Sequence, residues 1–214
     1  MSLPIDEVLC CDCMDEARGL PSLPWGSIAA TITDPPYPNN AGSFAGDIRL
    51  ARQALYISPS PIVLAFWDAT DRLDLKLPLI AMHVWVKTDG WQAGTTEAIF
   101  EYRRERQRRR NEAKMLPATF ATDGLPVHPT QKPLALMRWL IEKVTAPGDI
   151  VLDPFAGSGS TLVACVQTGR HFLGMERDPG YCEIARKRIA EAQAQPRLEF
   201  DEPTPLPTTE AMAL

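Results

Sequence analysis

The chain is short of positive charge and of metal-binding side chains. Its 22 Lys and Arg are outnumbered by 27 Asp and Glu, for a net charge of −5. A protein basic all over is thereby excluded, and any nucleic-acid contact has to come from a local patch. Only three histidines are present, His83, His128 and His171, and they are scattered. Cysteines number five, an odd count with three crowded at Cys10, Cys11 and Cys13, which argues against a disulfide framework. No second Cys or His pair stands at finger spacing, so no metal is expected. Buried free thiols in a reducing cytoplasm are the ordinary reading. Long apolar runs are lacking too. Pro61 to Trp67 and Leu77 to Val86 are too short to span a bilayer, so no membrane partner is expected. Asp6 and Glu7 stand where a secretion signal carries basic residues, which makes a cytoplasmic location the expectation.

What is present suits one core. A chain of 214 residues, 45% of them apolar, is near the usual size of a single domain, and no internal repeat is visible. Val8 to Cys10, Ser27 to Thr33, Pro61 to Trp67, Met82 to Lys87, Ala98 to Tyr102, Ile150 to Leu152 and His171 to Met175 read as strands. The run at Pro61 to Trp67 is continuously apolar, as inside parallel sheets. Helices are expected at Ala45 to Ile57, which stops before Ser58-Pro59, and after Pro133. The second of these puts Met137, Leu140, Ile141 and Val144 on one face. A last helix opens with Asp178 as N-cap and Pro179 at its first position, with Cys182, Ala185, Ile189 and Ala192 on one side. Beyond Gln195 the composition turns to Pro, Thr and Glu and reads as a disordered tail, 196–214. Strands alternating with helices predict an α/β sheet covered on both faces.

The stretch Ile150 to Thr161 is the feature the rest serves. A short buried strand ends at Asp153. Gly157 and Gly159 then permit a tight turn and close approach of a ligand, and Ser158 or Ser160 is expected to cap the helix that follows. Such a turn cradles nucleotide-type ligands. Glu176 follows 17 positions after Gly159, close to the ~20 at which such folds hold a ribose hydroxyl. Three readings compete: a plain turn, a nicotinamide site, and a site for S-adenosylmethionine. The nicotinamide fingerprint wants a third glycine where this chain has Leu162. Asp153 and Glu176 together add negative charge at the mouth, which favours the sulfonium ligand.

Asp34-Pro35-Pro36-Tyr37 ends another apolar strand, where open α/β folds place ligands. Two prolines fix the backbone and remove donors, so the turn displays acceptors. Acceptors with one aromatic face suit an exocyclic amino group, with Tyr37 stacking on an extruded base. The plain alternative is a rigid turn with a surface tyrosine.

Together with His128-Pro129-Thr130-Gln131-Lys132-Pro133 and Asp153-Pro154-Phe155-Ala156-Gly157-Ser158-Gly159-Ser160, this tetrapeptide resembles the amino-methylating DNA methyltransferases, which act on adenine N6 or cytosine N4. The catalytic block comes first and the cofactor block last, as in their permuted β group. The resemblance implies a Rossmann-like methyltransferase fold with a mixed central sheet, and S-adenosylmethionine as cofactor. It implies that Asp34, Pro35, Pro36 and Tyr37 hold and activate the target amine. Asp153, Phe155, Gly157, Ser158, Gly159 and Ser160 would line the cofactor, and Glu176 would take its ribose hydroxyls. Thr130 and Lys132 would meet its methionine carboxylate. Asp12 and Cys13 match the segment that touches its adenine ring, although Cys11 stands where a glycine is usual. Cys165 and Cys182 are expected in the core. Residues 1–195 would form the catalytic domain, with a short target-recognition insertion at about 88–127.

Arg103 to Lys114 holds seven basic and two acidic residues. With the chain at −5, that local +5 leaves −10 elsewhere. Arg103, Arg104, Arg106, Arg108, Arg109 and Arg110 are therefore the expected phosphate contacts, to DNA in duplex form; Trp91 is a packed loop residue or a wedge. So short a recognition region reads few bases or requires a second subunit, as in a homodimer. Adenine N6 is expected ahead of cytosine N4 because the first box residue is Asp. RNA substrates and a non-catalytic binding relative are the other readings, while a protein-glutamine methyltransferase would carry Asn in place of Asp34. A solitary bacterial or phage-encoded modification enzyme is the expectation.

Overall fold

Apolar strands without polar alternation have to be covered on both faces, and a parallel sheet between helix layers does this. The computed structural model describes residues 3–36, 48–67, 73–87, 96–105, 115–116 and 131–195. In chain order the strands are β1 (Glu7–Cys10), β2 (Ala30–Thr33), β3 (Ile62–Trp67), β4 (Leu79–Val86), β5 (Thr96–Arg103), β6 (Met115–Leu116), β7 (Ile150–Asp153) and β8 (His171–Glu176). The helices are α1 (Ile48–Ile57), α2 (Leu134–Val144), α3 (Ser160–Thr168) and α4 (Pro179–Ala194). Among the described residues the strands form one eight-stranded sheet in the order β1-β8-β7-β2-β3-β5-β4-β6. None of the described helices is long and apolar enough to cross a membrane.

Direction within this sheet decides where the chemistry lies. β1, β8, β7, β2 and β3 run parallel, so Cys10, Glu176, Asp153, Thr33 and Trp67 all end at one edge. β5 is antiparallel to β3, pairing Ala98 with Trp67 and Arg103 with Ile62. Its first residues therefore lie at that same edge and its last at the opposite one, about 20 Å away at the strand rise.

Alternation along each strand feeds two apolar layers. Leu64, Phe66, Val151 and Phe172 face α2, α3 and α4 through Leu136, Leu140, Leu162 and Ile189. Leu152, Leu173 and Met175 face the other way, toward Ala54 of α1 and toward Leu20, Leu23 and Ile28 in the segment before β2. Val63, Ala65 and Trp67 join Leu55, Leu73 and Tyr102 on that side. Cys165 and Cys182 are fully buried, as expected. Helix α4 is capped by Asp178, whose carboxylate accepts from Gly180 N and Tyr181 N.

Some boundaries differ from the sequence reading. β2 begins at Ala30 rather than Ser27, and β4 and β5 run longer than their apolar centres. β6, two residues pairing with Val84 and Trp85, carries no pattern that a sequence could show. Residues 45–47 of the first expected helix, Trp91 and the 196–214 tail lie outside the described residues.

Candidate active site

The glycine turn is built from both sides. Gly157 and Gly159 sit in the left-handed region, at φ +52° and +80°. A Cβ on Gly159 would lie 2.9 Å from Ala185 Cβ, so α4 presses directly on the turn, whereas one on Gly157 would enter open space. Ala156 N donates to Met175 O at 2.9 Å, and Gly157 N to Glu176 Oε2 at 2.8 Å. The other Glu176 oxygen accepts from Asp178 N at 2.8 Å. The acid at the end of β8 is thus held against the turn.

Two expectations for this turn need correction. Neither serine caps α3: its N-cap is Gly159, in a conformation that only glycine adopts easily. Ser158 and Ser160 instead face Arg188 of α4, whose Nη1 donates to Ser158 O at 2.6 Å and to the hydroxyls at 3.0 and 3.4 Å. Asp153 does not lie at the mouth. It is 3% exposed, and its oxygens accept from Thr33 Oγ1 at 2.5 Å, Thr161 Oγ1 at 2.6 Å and Phe155 N at 3.1 Å. Burial pushes its carboxyl up to about 6 against these three hydrogen bonds, with nearby Asp34 adding to the rise. The side chain is an internal strut. Phe155 remains half-buried at the edge of the turn.

That strut joins the two blocks. Thr33 precedes Asp34, so the bond from β2 to β7 ties the Asp-Pro-Pro turn to the glycine turn across 120 positions of sequence. Pro35 is buried and Pro36 half-buried; Tyr37 and Thr130 lie outside the described residues. On the far side of Glu176, Cys11 N donates to its carbonyl at 3.0 Å, which sets the 11–13 segment beside the turn. Asp12 Oδ1 accepts from Met14 N at 2.8 Å. Cys13 turns inward, 8% exposed, with its thiol pushed up to about 12 chiefly by burial.

Around Asp34 lies a line of alternating charges. Lys132 Nζ is 2.6 Å from Asp34 Oδ2 and 3.2 Å from Glu97 Oε2, and Lys87 Nζ is 2.7 Å from Glu97 Oε1. Lys132 is 6% exposed and stands over the Phe66 ring at 4.9 Å. Asp34 shows 23% of its side chain, but Oδ1 is itself buried and has no hydrogen-bond partner among the described residues. Burial raises the Asp34 carboxyl, the Lys132 charge opposes the rise, and Glu97 adds to it. For Glu97 the charges of Lys132 and Lys87 outweigh burial and hold it below the usual range. With one oxygen pinned by Lys132 and the other free, the Asp34 carboxyl can accept a hydrogen bond from an amine entering the turn.

Comparison with known proteins agrees with this geometry. The family model for DNA methylases matches residues 81–187. The Escherichia coli (strain K12) protein YubD, a methylase by name, is 31% identical over 206 residues, covering 84% of this chain and 89% of YubD. The chain belongs to the DNA methylase family. M.HindIII of Haemophilus influenzae, named a type II methyltransferase, is 44% identical over 79 residues, which are 37% of this chain and 26% of M.HindIII. Among solved structures, the M1.HpyAVI–SAM complex superposes with a TM-score of 0.65 at 25% identity, over 85% of this chain and 98% of that one.

In this methylase two of the expected phosphate contacts are occupied elsewhere. Arg103 ends β5 at the opposite edge and pairs with Glu101 at 3.0 Å. Arg104 donates to Ser60 O at 2.8 Å and to Tyr56 O and Ser58 O at 2.6 Å, and it stacks 4.8 Å over Trp25. Its donors close the carboxyl end of α1, a position where cations are favoured. Arg106, Arg108, Arg109 and Arg110 lie outside the described residues. Sequence reading passed over Glu97 and Lys87 altogether. A signal existed: Glu97 and Glu101 interrupt an apolar strand on one face, and buried acids require cationic partners.

Proposed function

We propose that this methylase transfers a methyl group from S-adenosylmethionine to the exocyclic amino group of a base flipped from duplex DNA, adenine N6 ahead of cytosine N4. The single observation that carries the reading is Asp34 with its unpartnered, buried Oδ1 on the strand end next to the glycine turn. The turn fits the cofactor: the space over Gly157 is open and Glu176 stands beside it with acceptor oxygens. Bound there, S-adenosylmethionine would supply an electrophilic sulfonium methyl for the amine, with a neutral thioether as leaving group and the amine's surplus proton passing to solvent.

The work of this chain is positioning and acceptance. Asp34 Oδ1 takes a hydrogen bond from the amine and stabilises positive charge growing on nitrogen. Pro35 and Pro36 hold the turn rigid, and Tyr37 stacks on the flipped base. Phe155 walls the cofactor's side, and Asp12 with Cys11 and Cys13 closes it beyond Glu176. The paired strand ends bring the two reactants together, which makes orientation a large part of the acceleration. Arg106, Arg108, Arg109 and Arg110 supply phosphate contacts in the recognition segment. Adenine is favoured by Asp at the first box position.

Mass spectrometry of nucleosides from DNA treated with enzyme and labelled cofactor tests the reading directly. The expected product is N6-methyladenine; N4-methylcytosine would reassign the base, and no labelled base at all, with the cofactor still bound, would point to a non-catalytic relative. Asp34→Ala is expected to abolish transfer while cofactor affinity survives, and loss of cofactor binding in that variant would move Asp34 to the other half of the site.

A further inference from the structure

The resemblance placed Lys132 at the cofactor's methionine carboxylate, but the structure gives its ammonium other company. Its neighbours come from separate parts of the fold: Asp34 after β2, Glu97 at the start of β5 and the Phe66 ring of β3. Glu97 is itself pinned by Lys87, just after β4, which stands 5.4 Å from the Trp85 ring. Drawing Lys132 toward a third anion would leave half-buried Asp34 and buried Glu97 without the cation between them. Buried charges are tolerated when paired and are costly once a partner is taken away.

We infer that Lys132, clamped by Glu97, is a positioning residue for the methyl transfer: it sets its charge against Asp34 and fixes Oδ2, so that Oδ1 alone is offered to the target amine. The inference rests on the amino-methylating function proposed above. Every charged group set against Asp34 enters the balance. Lys132 and Lys87 favour the carboxylate, Glu97 opposes it, and Asp153, beyond Thr33 on β7, carries a like charge. The quartet of Asp34, Lys132, Glu97 and Lys87 is neutral in sum. A neutral group can be buried beside a cationic cofactor and an uncharged base with little field of its own.

Two substitutions should move Asp34 in opposite directions, which a purely structural role would not do. Lys132→Met removes the charge that opposes protonation of Asp34, so its carboxyl should titrate at higher pH. Glu97→Gln removes a like charge, so it should titrate lower. Lys132→Arg keeps the charge and should hold the titration near that of the parent. The direct readout is the carboxyl carbon of Asp34, followed by NMR in selectively labelled, cofactor-free protein. Alongside it, the acid limb of the kcat profile on unmethylated duplex DNA should shift with the same signs. At neutral pH Lys132→Met should lower kcat on the order of 100-fold and leave cofactor affinity, read by calorimetry, within about threefold, less than 1 kcal/mol. An Asp34 titration that ignores both substitutions would overturn the inference. So would a tenfold or greater loss of cofactor affinity in Lys132→Met with the pH profile in place, which would return Lys132 to the cofactor carboxylate. Should Lys132→Met fail to fold in a thermal melt, Glu97→Gln and Lys132→Arg still decide the matter. A parent enzyme that methylates no DNA would defeat the proposed function instead, while the titration in cofactor-free protein would still report whether Lys132 controls Asp34.

Discussion

Gly157 and Gly159 look equivalent as letters, yet the structure assigns them separate work, and alanine at each should separate stability from ligand binding. At Gly159 an alanine meets two penalties. The left-handed conformation at φ +80° is strained for any residue with a Cβ, by about 1–2 kcal/mol. The new methyl would also stand 2.9 Å from Ala185 Cβ and 3.2 Å from Ala185 Cα, and overpacking of that kind costs about 1–3 kcal/mol. A total near 3 kcal/mol corresponds to a melting point lowered by roughly 6–12 °C in a chain of this size. Gly157 has φ +52° and nothing within 4 Å of its Cβ position, so only the conformational part applies, about 1–2 kcal/mol. The space its methyl would enter is where the proposed site receives the cofactor. Gly157→Ala should therefore melt only a few degrees early, by roughly 2–4 °C per kcal/mol, but lose cofactor affinity about tenfold or more, some 1.4 kcal/mol. Differential scanning fluorimetry and calorimetric titration of S-adenosylmethionine measure the two effects on the same samples. Adding Ala185→Gly to Gly159→Ala should recover part of the stability, because it removes the nearer of the two contacts. The reasoning is refuted if Gly157→Ala is the less stable of the pair while binding cofactor normally, or if Ala185→Gly gives no recovery.

Two further outcomes follow from buried charge. Asp153 has its carboxyl raised from 3.8 to about 6, so the folded state favours its protonated form: the penalty is absent below about pH 4, grows between pH 4 and 6, and is complete above. Asp153→Asn abolishes that titration, and the stability of the variant relative to the parent should improve by about 3 kcal/mol between pH 4 and pH 7; parallel urea-unfolding curves for the two proteins at both pH values would contradict this. Arg104→Ala orphans three carbonyls and the Trp25 stack, so it should lose about 3 kcal/mol of stability without changing the salt dependence of DNA binding. The triple change of Arg108, Arg109 and Arg110 to Gln should do the opposite, flattening the slope of log affinity against log salt by about 2–3.

The charge line explains why this site tolerates acids at all. Asp34, Asp153, Glu176 and Glu97 converge on one sheet edge of a protein whose net charge is already −5. Each is neutralised differently. Asp153 accepts from two hydroxyls and an amide, Glu176 from two backbone amides, and Asp34 with Glu97 share Lys132. Asp34 Oδ1 is buried with no hydrogen-bond partner among the described residues, and a free acceptor of that kind suits an incoming amine.

By itself the sequence determined the parts that depend on local chemistry. Apolar runs such as Ile62 to Trp67 marked strands, Asp178 with Pro179 marked a helix start, and the three motif blocks marked the family, because strand burial, capping and turn geometry are written in neighbouring residues. Only the tertiary structure decided which way β5 runs, and that one direction brings Glu97 to the active edge and carries Arg103 and Arg104 to the other. It likewise made Asp153 a strut, gave Lys132 to Asp34 and set α4 against Gly159 but not Gly157. These outcomes rest on contacts between residues as far as 120 positions apart, and the identity of a side chain fixes what it can pair with but not which partner the fold will bring within reach.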